Sequence, residues 1–229
     1  MPGFSAHHHE LLLEAVARFG TPTYVYFEDI LLNRVEKLRS HLQGLPLELL
    51  YAMKANHAAP ILRTMQKEGL GIDAVSPAEL IVALESGFPK DRILFSANNM
   101  TDEEMHFAHS KGVILNIGEL SRLERLGQQY PGSSVCIRLN PQIGAGHHEH
   151  VITAGERSKF GIPVEQISEI HRLAETHGIK IAGLHQHIGS GILDTAVLWR
   201  AIEVILEASL SFGQREFINV GGGLGVPYG

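Results

Sequence analysis

Cysteine occurs once in these 229 residues, at Cys136 inside an apolar run, and a single thiol excludes an intrachain disulfide framework. It fits a reducing compartment, so the cytoplasm is the expected location. Basic charge is also scarce: 19 Lys and Arg stand against 25 Asp and Glu, a formal charge of -6, and no Lys/Arg-rich block occurs. That balance argues against a nucleic-acid partner. No uncharged run approaches the roughly 20 residues of a membrane span, and Met1 to Glu10 lacks the basic stretch and apolar core of a secretory signal. No low-complexity linker or short repeat breaks the chain. What is present is 44% hydrophobic content, enough for one sizeable core, and a composition suited to small-molecule work.

Apolar segments of strand length alternate with longer segments of helical period. The expected strands are Leu47 to Met53, Gly71 to Val75, Ile93 to Ser96, Val113 to Ile117, Val135 to Leu139, Ile181 to His187 and Phe217 to Val220. Between them, helices are expected over Ala59 to Glu68, Pro77 to Ser86, Thr101 to Ser110, Glu119 to Tyr130, Val164 to Thr176 and Thr195 to Phe212. One helix start is explicit: Ser76 as cap, Pro77 at the first helical position and Glu79 three residues after the cap. Alternation of this kind means an α/β fold with a parallel sheet, and near-continuous apolar strands mean that both faces are covered. Seven such units are most of a TIM-type (β/α)8 barrel, with the last strand absent; a doubly wound sheet is the alternative.

In either architecture ligands gather at the C-terminal ends of the strands. The residues there are polar or glycine: Lys54, Asp73 and Ser76, Ser96, Asn116, Arg138 and Asn140, His185 and His187, and Gly221 to Gly223. A lysine in a partly dehydrated pocket loses solvation of its charged form and becomes a nucleophile toward a carbonyl; the plain reading of Lys54 is a strand-end lysine reaching for water. Gly221-Gly222-Gly223 lets bare backbone amides approach an anion, or else makes a tight turn. Gly225 comes one place early for the dinucleotide spacing, and no Gly-Lys-Ser/Thr follows, so a nucleotide is not expected. His187-Ile-Gly-Ser190-Gly191 adds a glycine-flanked hydroxyl. A Schiff-base lysine with two phosphate-cradling loops is what pyridoxal 5'-phosphate requires of a protein.

The chain resembles the N-terminal part of the pyridoxal-phosphate decarboxylases of the alanine-racemase-like barrel type, and is most similar to the diaminopimelate decarboxylases. The segments that carry the resemblance are Tyr51 to Asn56, Gly71 to Leu80, Arg138-Leu-Asn140-Pro141, His150 through Thr153 to Ser158-Lys159-Phe160-Gly161, Gly183 to Gly191 and Gly221 to Gly225. They follow one another in the family's order from near residue 24 to the last residue. The resemblance implies that Lys54 is covalently linked to the cofactor and that His187 stacks on its ring. Ser190, Gly221, Gly222 and Gly223 would hold the phosphate, and Asp73 and Arg138 would support the site. Lys54 and His187 are thus the implied catalytic residues. A loop with His147, His148, His150, Thr153, Ser158 and Lys159 would lie near the substrate. The implied activity is decarboxylation of meso-diaminopimelate to L-lysine, the last step of lysine biosynthesis, by a cytoplasmic homodimer acting on a small amino acid. Ornithine, arginine and carboxynorspermidine are the alternative substrates.

The family pattern continues beyond Gly229 with a further strand carrying Glu-x-Gly-Arg and a C-terminal β domain bearing a catalytic cysteine. The expectation is therefore a fragment of a longer protein, inactive by itself, with residues 1–30 a segment that pairs with that absent domain and residues 31–229 the cofactor-binding barrel. Tyr24 to Phe27 is expected as a strand of that pairing segment. Two other classes exist. His185-x-His187 and the His147, His148, Glu149, His150 cluster suggest a metal-dependent hydrolase, which leaves Lys54 and the glycine loops unexplained, so no metal is expected. A non-catalytic pyridoxal-phosphate-binding protein is the other. Trp199 and Phe212 are expected in the core or an interface, Glu103-Glu104 and Glu119 to Arg125 as solvated helix faces, and Asn98-Asn99 as a turn.

Overall fold

The computed structural model describes residues 4–143 and 160–226. Seven strands lie side by side in one parallel sheet, in the order β1 (Leu50–Ala52), β2 (Gly71–Ala74), β3 (Ile93–Phe95), β4 (Ile114–Ile117), β5 (Ser134–Asn140), β7 (Lys180–His185) and β8 (Phe217–Asn219). The two-residue β6 (Ile162–Pro163) pairs with the far end of β5. Helices make the crossovers: α3 (Ala59–Lys67), α4 (Pro77–Glu85), α5 (Asp102–Lys111), α6 (Leu120–Gln129), α7 (Ile167–His177) and α8 (Thr195–Ser209). This is an incomplete TIM-type (β/α)8 barrel. Among the described residues β1 and β8 each pair on one side only.

The strands are short and apolar because both faces are covered. Ile72, Phe95, Leu115, Ile117, Ile137 and Leu184 are fully enclosed, and Leu62, Leu80, Leu123 and Leu126 close over them from the helices. In α6 the buried residues are Leu123, Leu126 and Gly127, one apolar stripe at helical spacing. Caps set the boundaries. The Ser76 side chain accepts from the Glu79 amide at 3.2 Å while Glu79 Oε2 accepts from the Val75 amide at 2.8 Å, so the expected helix start is built as read, with the return bond one residue earlier. Thr101 and Glu104 form the reciprocal pair at the start of α5, and Gly112 ends that helix in the left-handed conformation. No helix among the described residues is long and apolar enough to cross a membrane.

Two helices precede the barrel units and were absent from the sequence expectation: α1 (Ala6–Phe19) and α2 (Glu28–His41). The Ser5 cap of α1 has His8, not Glu or Gln, as its reciprocal partner, which hides the signal. No residue of α1 is buried; His8 fastens it, with Nε2 at 2.9 Å from Asp29 Oδ2 and its ring 4.5 Å from that of Phe27. Tyr24 to Phe27, expected as a strand against a domain outside this chain, do not form one here. A strand needs a neighbour for its N–H and C=O groups, none lies alongside among the described residues, and Tyr24 is 90% exposed. Of the two places expected for Trp199, core or interface, it does not take the core. The buried stripe of α8 is Ala201, Ile205 and Ser209 at four-residue spacing, and Trp199 lies off it at 60% exposure, whereas Phe212 is buried as expected.

Because Phe95 is wholly enclosed on β3, with β2 and β4 on either side, Phe95→Ala should lower stability in urea denaturation by about 3–5 kcal/mol. Leu210→Ala, at a residue 82% exposed, should change it by less than about 0.5 kcal/mol.

Candidate functional site

Parallel strands deliver all their C-terminal ends to one rim, and the register sets which side chains meet there. Ala52 lies opposite Asp73, Asn116 opposite Cys136, Arg138 opposite His185 and His185 opposite Asn219. Lys54 follows β1 in a single 3-10 turn, Met53–Ala55, whose Met53 is buried while the lysine itself is exposed. The pocket expected to dehydrate it is not closed around it. Its strand has a neighbour on one side only, so nothing among the described residues covers the amine from the other.

Electrostatics nonetheless ties the rim together. Asp73 on β2, and His185 and His187 at the end of β7, all feel the charges of both Lys54 and Arg138. Burial raises the Asp73 carboxyl above its ordinary range, opposed by the Ser96 hydroxyl and by those two cations. Burial alone lowers the guanidinium of Arg138 to about 10, with Asp73 acting against the shift, so it stays charged at neutral pH. His185 is held well below its ordinary value by burial, then by Arg138, His187 and Lys54. For His187, burial followed by Lys54 and Arg138 brings the value down to about 4. Two cations, one carboxyl and two neutral imidazoles make a rim suited to an anion.

The polar atoms are partly committed. Asn116 Nδ2 donates to Ser96 Oγ at 3.2 Å. Asp73 Oδ1, Asn116 Oδ1 and His185 Nδ1 are buried with no hydrogen-bond partner, which native interiors rarely tolerate without a ligand or water to serve them. Arg138 donates to Asn98 Oδ1 at 2.6 Å and to the His187 carbonyl at 3.5 Å, and its guanidinium lies over the Phe160 ring, 5.2 Å from the centroid. The Asn98 contact went unseen in the sequence, where Asn98-Asn99 reads only as a turn; Asn99 does take the positive φ of 50° that a turn there needs. Cys136 is buried beside Asp73, and burial together with that carboxyl pushes its thiol up.

The glycine run divides into residues with different reasons to be glycine. Gly221 and Gly223 have φ of 77° and 87°, and a Cβ would fall 2.3 Å from the Gln186 carbonyl oxygen and 1.9 Å from that of Gly189. Two strand-end loops therefore pack backbone against backbone, fastened by Ile192 N–H to Gly223 O at 2.9 Å and Gly225 N–H to Ile192 O at 2.8 Å. The Gly221 amide donates to Asn219 Oδ1 at 2.8 Å, so in this structure it is committed within the chain. Gly222 differs: a Cβ there would meet nothing within 4 Å, so its face opens outward. Ser190, exposed between Gly189 and Gly191, sits on the partner loop of this pair. The structure thus gathers Lys54, Asp73, Arg138 and His187 on the rim, with Ser190 and Gly221 to Gly223 on the adjoining loops. His147, His148, His150, Thr153, Ser158 and Lys159 lie outside the described residues. No group of three His, Cys, Asp or Glu among the described residues is placed to hold a metal ion, and His185 and His187 face two cations that would repel one.

Residues 29–229 match the family model described as "Pyridoxal-dependent decarboxylase, pyridoxal binding domain". The chain is 41% identical over 224 residues to the diaminopimelate decarboxylase of Methanothermobacter thermautotrophicus, covering 94% of this chain and 52% of that protein. To the diaminopimelate decarboxylase of Escherichia coli K12 it is 34% identical, covering 96% and 52%. A crystal structure of diaminopimelate decarboxylase superposes with a TM-score of 0.87 at 33% identity, over 96% of this chain and 52% of the other. The Helicobacter pylori diaminopimelate decarboxylase complexed with L-lysine gives 0.85 at 28%, over 96% and 58%. The chain thus spans about half the length of the relatives it matches.

The depressed histidines fix a pH dependence. A histidine whose folded value lies below its unfolded one keeps its full contribution above the unfolded value, and loses it as pH falls toward the folded one. For His187 that window runs from the ordinary histidine value of 6.5 down to about 4. Asp73, raised, acts with the opposite sign: its contribution is present at low pH and lost as pH rises through its folded value. With two histidines against one carboxyl, stability should fall on acidification from pH 6.5 to 4, measured as urea midpoints across pH. His187→Gln should remove part of that slope, at most about 3 kcal/mol.

Proposed function

The chain belongs to the pyridoxal-dependent decarboxylase family, whose pyridoxal-binding domain it carries, and from that premise we propose that the protein decarboxylates an amino acid at its α-carbon. The residues at the strand ends fit pyridoxal 5'-phosphate. A primary amine, a second cation, unserved buried polar atoms and an outward-facing glycine are what an anionic, carbonyl-bearing ligand needs. When bound, the cofactor supplies an electron sink for the pair left as carbon dioxide departs.

This chain's own residues take the remaining roles. Lys54 would hold the cofactor through its amine, and the same amine would serve as a proton donor toward the substrate's α-carbon. His187, held neutral by burial and two nearby cations, offers an uncharged ring to the cofactor's face. Ser190 and the open face at Gly222 would serve the phosphate, with Gly223 packed on the partner loop and the Gly221 amide bracing its own loop through Asn219. Arg138 and Asp73 set the charge around the amine.

For the substrate, we read meso-diaminopimelate, giving L-lysine. The support is that relatives at 30–41% identity are named diaminopimelate decarboxylases, and that one structural neighbour holds L-lysine. Neighbours named for arginine or lysine/ornithine, at 23% identity, speak to the fold alone. The same reading makes the enzyme a homodimer of the cytoplasm. It also sets residues 1–30 apart from the 31–229 barrel as a segment that packs on a C-terminal domain, for which the exposed Leu13, Phe19, Tyr24 and Tyr26 provide apolar surface.

The convergence of Lys54 and Arg138 on the same three partners carries this reading. Its test is an absorbance spectrum of protein mixed with pyridoxal 5'-phosphate, then borohydride reduction and peptide mass mapping. The expected label falls on Lys54 and disappears in Lys54→Ala; a label on another lysine, or none in folded protein, contradicts the assignment.

A further inference from the structure

Arg138 is a buried cation, 7% exposed, with no carboxylate at ion-pair distance among the described residues. Its closest polar partner is a neutral amide, Asn98 Oδ1 at 2.6 Å, backed by the His187 carbonyl at 3.5 Å and the Phe160 ring. An obvious alternative partner is within reach of its charge. Asp73 acts electrostatically on Arg138, and Asp73 Oδ1 is buried without a hydrogen bond. A guanidinium and a carboxylate in such surroundings gain by closing into a charge-assisted, bidentate pair. They are kept apart here. Asn98 comes from the turn after β3 and meets Arg138 across the cleft that Ser96, Asn116 and Phe160 also line.

We propose that Asn98 is a positioning residue of this site: accepting from Arg138 through a neutral oxygen, it holds the guanidinium off Asp73 and leaves its charge unneutralised at the strand ends. A carboxylate at position 98 would fix Arg138 equally well but cancel its charge. A side chain with no acceptor would release it toward Asp73. That the strand ends are a cofactor site rests on the function proposed above; the anchoring of Arg138 does not.

The test follows the Asp73 carboxyl by carbon-13 NMR across pH in cofactor-free protein. Around that carboxyl stand Lys54 from the turn after β1, Ser96 from the end of β3, Cys136 and Arg138 from β5, and Glu79 from α4, and only the Arg138 contribution should change. In Asn98→Ala the midpoint should fall by about one pH unit or more, the effect of a cation arriving at an aspartate. In Asn98→Asp it should rise, because Arg138 is neutralised where it stands. A folded Asn98→Ala with the parent's midpoint overturns the proposal. If that variant does not fold, Asn98→Asp decides, and the absence of a rise overturns it. With pyridoxal 5'-phosphate, absorbance titration should show both variants binding about tenfold more weakly, the worth of one charged hydrogen bond, while borohydride still fixes the cofactor on Lys54. Unchanged affinity in both overturns the role at the site. If borohydride does not label Lys54 in the parent protein, the cofactor reading has failed, and the carbon-13 midpoints alone decide the anchoring.

Discussion

Seven parallel strands in one sheet impose a single constraint from which the rest follows: every C-terminal end lies at the same rim. Residues as far apart in sequence as Lys54, Asp73, Arg138 and His187 meet there because each lies within two residues of the C-terminal end of its strand. The core below is apolar throughout, with Ile72, Phe95, Leu115 and Ile137 fully enclosed, so the polar groups have nowhere else to gather. Fold and site are thus set by one pattern, in which apolar strands carry their polar residues near their C-terminal ends.

Charge at the rim is arranged by subtraction as much as by addition. Two cations face one carboxyl, and burial together with those cations keeps both imidazoles neutral. A protonated His187 would add a third positive charge beside Lys54 and Arg138, which the low-dielectric surroundings oppose. Arg138 could have been cancelled by Asp73, but it is held by an amide oxygen and the face of an aromatic ring. The result is a rim with more positive than negative charge, formed without any run of basic residues in the sequence. This agrees with a chain whose overall charge is -6.

The barrel and the positions of its site residues could be read from sequence because both depend on local signals. Apolar runs such as Ile93–Phe95 announce buried parallel strands, and the Ser76-Pro77 pair with Glu79 announces a helix start. What escaped depends on contacts between distant segments. Helix α1 is capped by a serine and a histidine and anchored through Asp29 and Phe27, none of which forms a pattern along the chain. Tyr24 to Phe27 were expected as a strand from the resemblance, on a partner outside this chain, and no neighbouring strand lies beside them among the described residues. The glycine run looked like a set of equivalent anion donors. Only the structure separates Gly221 and Gly223, pressed against the 186–189 backbone, from Gly222, which faces open space. Asn98 is the same kind of case: its turn is visible in sequence, and its partner lies 40 residues on.

The central claim is that this rim recognises the phosphate-bearing anion as much as the carbonyl. The direct measurement is the equilibrium affinity of the protein for pyridoxal 5'-phosphate beside that for pyridoxal, which has the same carbonyl and ring but no phosphate. The account predicts that pyridoxal binds at least about tenfold more weakly, since it forgoes the charged hydrogen bonds that the cationic rim and glycine loops offer. Equal affinities would contradict it, leaving the positive rim and the paired glycine loops as features of folding alone.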